Sequence, residues 1–190
     1  MPTDLLKSSI TAIAAGTVAI LALLAMSILG GHTDMADAAG LLFRALHVLA
    51  AMVWVGLIVF VNVIQLAVLS EAPDADRKAI LTHIVPRTAR TVGHAANVTV
   101  VTGLVLLGAL GYFSRPPPDA LWMWIGTVGG FAMLGFVHAR ISPALRVVLD
   151  PQMSDAASKA EARETVRFYA RLNLLLSVPV TFAMLAAAHG

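Results

Sequence analysis

Of the 190 residues, 58% are hydrophobic and only 13% are charged, with a mean hydropathy of +0.83. A soluble domain carries about 25% charged residues, so this chain cannot coat a soluble globule, which excludes a soluble enzyme, a nucleic-acid binder and a disordered tail. It has no cysteine, which excludes disulfides, thiolate metal sites and covalent c-type haem attachment.

The first apolar run covers residues 8–30. It is too long for a signal-peptide core and has one flanking lysine, Lys7. The second run covers about 41–69. A polar turn from Ser70 to Lys78, with Pro73, follows it. The mixed stretch 79–92, with Pro86, Arg87 and Arg90, reads as an interfacial helix. The third run is about 93–113. Ser114-Arg115-Pro116-Pro117-Pro118-Asp119 is a turn, because proline blocks helix continuation. The fourth run is about 120–142, with Pro143 near its end and a break at Asp150-Pro151. A charged helical stretch, 155–171, has Glu164 and Arg167 three apart. The fifth run is 172–188. At about 20 apolar residues per span, these runs predict an all-α polytopic membrane helix bundle of five transmembrane helices, one integral domain over 1–190.

Five spans put the termini on opposite sides. Eleven of the thirteen Lys and Arg then collect on one side, and Arg44 and Arg115 on the other. The positive-inside rule predicts a cytoplasmic N-terminus and an outer C-terminus in a bacterial inner membrane. The pI near 9.4 is therefore mostly a topology signal. Tyr112, Trp122 and Trp124 flank the outer turn, where aromatic belts sit. Gly126 and Gly130, four apart, match a close helix-packing motif.

Chemistry must come from polar residues inside the apolar runs. On the second span His47, Trp54 and Gln65 share a stripe, with Arg44 and Asn62 about 60° to one side. One reading is a ligand histidine, with Arg44 placed for a ligand carboxylate such as a haem propionate. The plainer reading is a histidine hydrogen-bonded to a neighbouring helix. On the third span Arg87, Arg90, His94 and Asn97 form a second stripe, its arginines read as cytoplasmic anchors. His94 lies 22 residues before Pro116 and His138 lies 22 after it. Equal counts place the two imidazoles at similar depth, about 33 Å from the turn, as a facing pair for a metal cofactor or as two interfacial residues meeting water. His189 closes the fifth span and is a further ligand candidate; His32 reads as a loop residue and His83 as a solvated interfacial one. Asn173 and Ser177 read as helix-to-helix hydrogen bonders. All eleven Asp and Glu lie outside the apolar runs, which argues against a buried-acid transporter and a carboxylate di-iron site. Imidazole remains, and it suits iron or copper.

The run Arg44-Ala-Leu-His47 through Trp54-Val-Gly56 to Asn62 and Gln65 resembles the second helix of the membrane domain of bacterial cytochrome-c-linked urate hydroxylases. Pro86-Arg87 with Val98-Thr99-Val-Val-Thr102-Gly103-Leu104, and Arg171-Leu-Asn173 through Ser177-Val-Pro179 to Ala187-Ala188-His189, resemble that family in the same order. The shorter pattern LHxxxxxxWxG is also similar to copper-resistance D membrane proteins and to small membrane protoporphyrinogen oxidases, which bind haem. The urate hydroxylase resemblance implies an integral membrane redox protein that passes electrons to cytochrome c. By motif position it carries over His47, Trp54, Asn62, Asn173 and His189, whereas His94 and His138 rest on depth alone. The family's membrane domain is longer and its C-terminal part is a c-type cytochrome; this chain stops after five spans without cysteine. The resulting expectation is a haem b-binding membrane protein with an electron-transfer or redox role, of the oxidoreductase class if it is an enzyme. Its candidate metal ligands are His47, His94 and His138, with His189, Arg44, Trp54 and Asn62 as further cofactor-binding residues. The alternatives are a copper-import or copper-handling protein, a urate-oxidising enzyme with a separate cytochrome c, and a structural subunit without cofactor. Expected partners are the lipid bilayer, a separate cytochrome c or respiratory-chain protein, and a second copy in a homo-oligomer, with no nucleic acid.

Overall fold

The computed structural model describes residues 8–114, 120–152 and 155–189, the side chains of Ile10 and His189 excepted. Lys7 and the proline turn at 115–119, with Arg115, lie outside the described residues. The fold is all-α, with no strand among the described residues. Five helices are long and apolar enough to cross a membrane, as a multi-pass membrane protein requires. They are α1 (Ser9–Leu29), α2 (Met35–Glu71), α3 (Asp74–Ala109), α4 (Leu121–Leu149) and α5 (Ala156–His189). The chain divides into two compact units, Met1–Phe43 and Arg44–Gly190.

In the first unit, Ser8 caps α1 by accepting a bond from the Thr11 N–H at 3.2 Å. α1 ends at Gly31, whose φ of 70° only glycine adopts freely, and His32 N–H closes back onto the Ser27 carbonyl at 3.0 Å. Asp34 accepts from the Asp37 N–H at 2.7 Å, so α2 starts at Met35, ahead of the apolar run at 41.

The helices of the second unit run past the limits their apolar runs predict. The 79–92 stretch is not a separate helix: α3 is continuous over 36 residues from Asp74 to Ala109. α4 likewise passes through Pro143 to Leu149, and the charged 155–171 stretch continues without a break into α5. Three π-helical segments make this continuity physical: Phe60–Gln65 in α2, Ile80–Ile84 in α3 and Val137–Ile141 in α4. Proline has no N–H and its ring crowds the carbonyl four residues back. Pro86 and Pro143 each follow a π-segment within two residues, and the wider turn relieves that crowding. Ser142 gives its hydroxyl to the Val137 carbonyl at 2.8 Å. No proline explains the segment in α2. There Asn62 Nδ2 donates to the Ile58 carbonyl at 2.9 Å, and a side chain inserted into the backbone ladder is a known cause of such a bulge.

The α2–α3 turn is tied by Arg77, which donates through Nε to Leu69 O (3.1 Å) and through Nη2 to Ala72 O (2.9 Å). The core brings together Trp54 and Ile58 of α2, Ala95 and Ala96 of α3 and Met133 of α4, with Leu174, Leu176 and Val180 of α5 packed against it. Trp122 and Trp124 are exposed near the start of α4, and Trp122 meets Phe182 edge-on with ring centroids 5.5 Å apart. The glycines that seat α5 are Gly126 and Gly129. A Cβ on Gly126 would lie 2.9 Å from the Met184 side chain, and one on Gly129 would overlap Val180. Gly130, the partner expected from the four-residue spacing, is buried but has open space where a Cβ would go.

Asp155 caps α5, accepting from the Ala157 N–H (3.1 Å), the Ser158 N–H (3.0 Å) and the Ser158 hydroxyl. These donors, the Ser158 hydroxyl foremost, hold its carboxyl below the usual aspartate value. The stabilisation is therefore present at neutral pH and lost as pH falls through that lowered value. Thermal unfolding in detergent across this range should show a steeper acid-side loss for the wild type than for Asp155→Asn. In the same assay Gly129→Leu, which drives a side chain into Val180, should cost about 1–3 kcal/mol, whereas Gly130→Ala should be nearly silent.

Candidate functional site

His47 stands on α2 facing α3. Its Nδ1 lies 2.8 Å from the Thr99 carbonyl and 3.3 Å from Thr102 Oγ1. A carbonyl only accepts, so Nδ1 carries the proton and Nε2 of the neutral ring keeps its lone pair. The ring reaches the backbone because residue 103 is glycine: a Cβ there would stand 2.9 Å from His47 Cε1. The stretch Val98–Leu104 thus seats the histidine through one main-chain oxygen and one missing side chain. Neither is visible as a chemical motif, which is why residue types alone left the partner of His47 open. Arg44, one turn earlier, is exposed and has no hydrogen-bond or ion-pair partner among the described residues. Trp54 is 3% exposed in the core, and its indole N–H has no partner.

His138 donates through Nε2 to Asn97 Oδ1 at 2.9 Å. His94 lies one turn from Asn97 on α3, exposed and without a hydrogen-bond partner among the described residues. Asn97 and Thr99 are two residues apart, about 200° around a helix. His138 and His47 therefore meet α3 at a similar level on opposite faces. Among the described residues no group of three or more His, Asp or Glu could hold a metal ion. The side chain of His189 lies outside the described residues. His83 is exposed, and its carbonyl accepts from Arg87 at 2.7 Å.

A second feature lies farther along α2. A cavity of about 440 Å³ opens between α2, α3, α4 and α5. All three π-segments contribute to its wall, through Asn62 and Gln65, Leu81, and Val137 and Ile141. Asn62 and Gln65, three residues apart and so on neighbouring positions of one helix face, both line it. Asn62 Nδ2 also donates to the Ala170 carbonyl of α5 at 3.1 Å. Asn173 lies one turn beyond Ala170 and lines the same space. The carboxamide oxygens of Asn62, Gln65 and Asn173 are all buried without a partner. The expectation that Asn173 and Ser177 bond across helices is not met. Ser177 turns its hydroxyl back to Leu174 O of its own helix at 2.7 Å, as residues in this position readily do.

The two amides of α5 and α2 predict opposite mutational effects. Asn62→Leu removes donors from two carbonyls and should cost about 1 kcal/mol, the net size of such bonds. Asn173→Leu removes a buried oxygen that has no partner and should be neutral or stabilising. Melting curves of both variants in one detergent decide this; a loss of stability in Asn173→Leu as large as in Asn62→Leu would contradict it. Comparison with known proteins adds no relative: no family model, no curated protein and no solved structure matches this chain.

Proposed function

We propose that this is a membrane-embedded haem b-binding protein with a redox or electron-transfer role, and that His47 ligates the iron. The observation that carries it is the bond from His47 Nδ1 to the Thr99 carbonyl. A metal-binding histidine generally gives its other N–H to such an acceptor, which fixes the tautomer and turns the bare nitrogen toward the metal. Gly103 and Thr102 complete the seat by letting the ring lie against α3. Arg44, one turn away, supports the reading as a free guanidinium for a propionate. Bound b haem would supply a one-electron couple, with its potential set by the axial ligand and by the apolar shell. The residues here hold the ring and fix its proton on Nδ1. His189 is the second-ligand candidate by motif position, and the His94–His138 face is the alternative site. The residue likeness to urate hydroxylases makes a separate cytochrome c or respiratory-chain protein the proposed partner, and a homo-oligomer the proposed state. The one-sided distribution of eleven of thirteen basic residues supports an inner-membrane topology with the N-terminus inside.

The optical spectrum of protein purified from haem-supplied cells tests this. A Soret band is expected, lost in His47→Ala and shifted in Gly103→Val, where the new side chain displaces the ring. A Soret band unchanged in His47→Ala but lost in His94→Ala or His138→Ala moves the site to the other face of α3. Bound copper with no Soret band favours copper handling instead. Haem reduction on addition of urate would make the protein a urate-oxidising enzyme, and its absence would remove urate as donor.

A further inference from the structure

We propose that the cavity between α2, α3, α4 and α5 takes a single-chain anionic amphiphile of the long-chain carboxylate class, its tail along the aliphatic wall and its carboxylate on Arg163. This does not rest on the haem reading, because no histidine lines the cavity. At about 440 Å³ the space is within the range of small-molecule sites. It runs lengthwise at one end of the bundle. On α2 its wall extends from Ile58, beside the core, to Ser70 at the α2–α3 turn. On α5 it extends from Asn173 to Arg163, near the helix start. These stretches span about 18 and 15 Å along a helix, and the two ends of the space differ in chemistry.

The inner end offers carbon. Ile58, Val92 and Val137 line it, and the carboxamide oxygens of Asn62, Gln65 and Asn173 are buried beneath the wall, out of an occupant's reach. The hydroxyls of Ser70, Thr88 and Ser142 turn back into their own helices, onto Ala67 O (2.7 Å), Ile84 O (3.1 Å) and Val137 O (2.8 Å). No aromatic residue lines the space, so a flat ring finds no stacking partner. A flexible alkyl chain suits such a wall. The outer end carries the only charges on the wall, Arg77, Arg163 and Arg167, with no Asp or Glu beside them to hold a metal cation. Arg77 is committed to Leu69 O, Ala72 O and Asp74, and Arg167 to Glu164. Of the three, Arg163 alone has no hydrogen-bond or ion-pair partner among the described residues, and it is exposed. A guanidinium takes a carboxylate through two parallel N–H···O bonds. A single tail fits a single elongated space, and a single anion fits a single free guanidinium.

The test uses the full chain in phosphatidylcholine nanodiscs, with tritiated palmitate as probe at mildly alkaline pH and protein-free nanodiscs subtracted. Palmitate should bind saturably, and unlabelled palmitate should displace it. Hexadecanol, with the same tail and no charge, and dipalmitoyl phosphatidylglycerol, an anion with two such tails, should displace it at least about tenfold more weakly. Arg163→Gln should weaken binding about tenfold, the size of one charge-assisted hydrogen bond. Arg90→Gln removes another exposed charge, one that does not line the cavity, and should leave binding unchanged. Neither arginine has a partner among the described residues, so both variants should melt as the wild type does. Ala89→Phe, which fills the wall, should block binding. No saturable binding, equal weakening by Arg163→Gln and Arg90→Gln, binding unchanged in Ala89→Phe, or displacement by hexadecanol or phosphatidylglycerol as readily as by palmitate would overturn the proposal. A Soret band in a protein that binds no palmitate would leave the haem reading standing while this one fails.

Discussion

A backbone carbonyl inside a bilayer has no water to turn to, so each break in a helix's hydrogen-bond ladder must be mended from within the protein. In the second unit Pro179 breaks the ladder of α5 without a π-segment, and three further breaks coincide with one. Two arise because Pro86 and Pro143 cannot donate, and the third because Asn62 inserts its amide at Ile58. Each is absorbed by a π-segment and by nearby donors, as where Ser142 reaches Val137 O. α3 and α4 therefore continue where a simple reading of proline would end them. Residues of all three widened turns line the cavity.

α2 carries both chemical features. His47 and Asn62 are 15 residues apart, about 22 Å along a helix, with Trp54 and Ile58 of the core between them. The two sites use opposite strategies. His47 is held by a main-chain carbonyl, which settles its tautomer and leaves one nitrogen open. Asn62 is held by its donor end, and its oxygen is buried without a partner. In both, the fixed half of the side chain comes from a neighbouring helix, α3 for His47 and α5 for Asn62. Packing of the helices therefore sets the direction of each side chain.

The architecture was legible in the sequence because apolar run length is a direct consequence of bilayer thickness. So was the inward face of α2, since His47, Trp54 and Gln65 fall on one helical stripe and Trp54 and Gln65 prove buried. The Glu164–Arg167 pair also forms as its spacing predicts. What stayed hidden depends on main-chain atoms and on helix phase. Thr99 contributes a carbonyl, which every residue has, and Gly103 contributes an absence. The π-segments change the helical pitch locally, which no constant-pitch wheel can represent. Hydropathy also placed helix ends at the edge of the apolar run, although caps at Asp34 and Asp155 carry α2 and α5 well into polar sequence.

Buried polar atoms without partners are rare because each costs about 1–3 kcal/mol. Here three carboxamide oxygens around one cavity share that condition, on two helices that approach at Ala170. Leucine at positions 65 and 173 would fill the space and remove the cost, and both positions lie among residues where leucine is common. Ser177, one turn from Asn173, shows that this helix can satisfy a buried polar group locally when nothing else is asked of it. Asn173, one turn away, keeps its carboxamide oxygen buried without a partner, so the cost carried by α5 is confined to that one side chain.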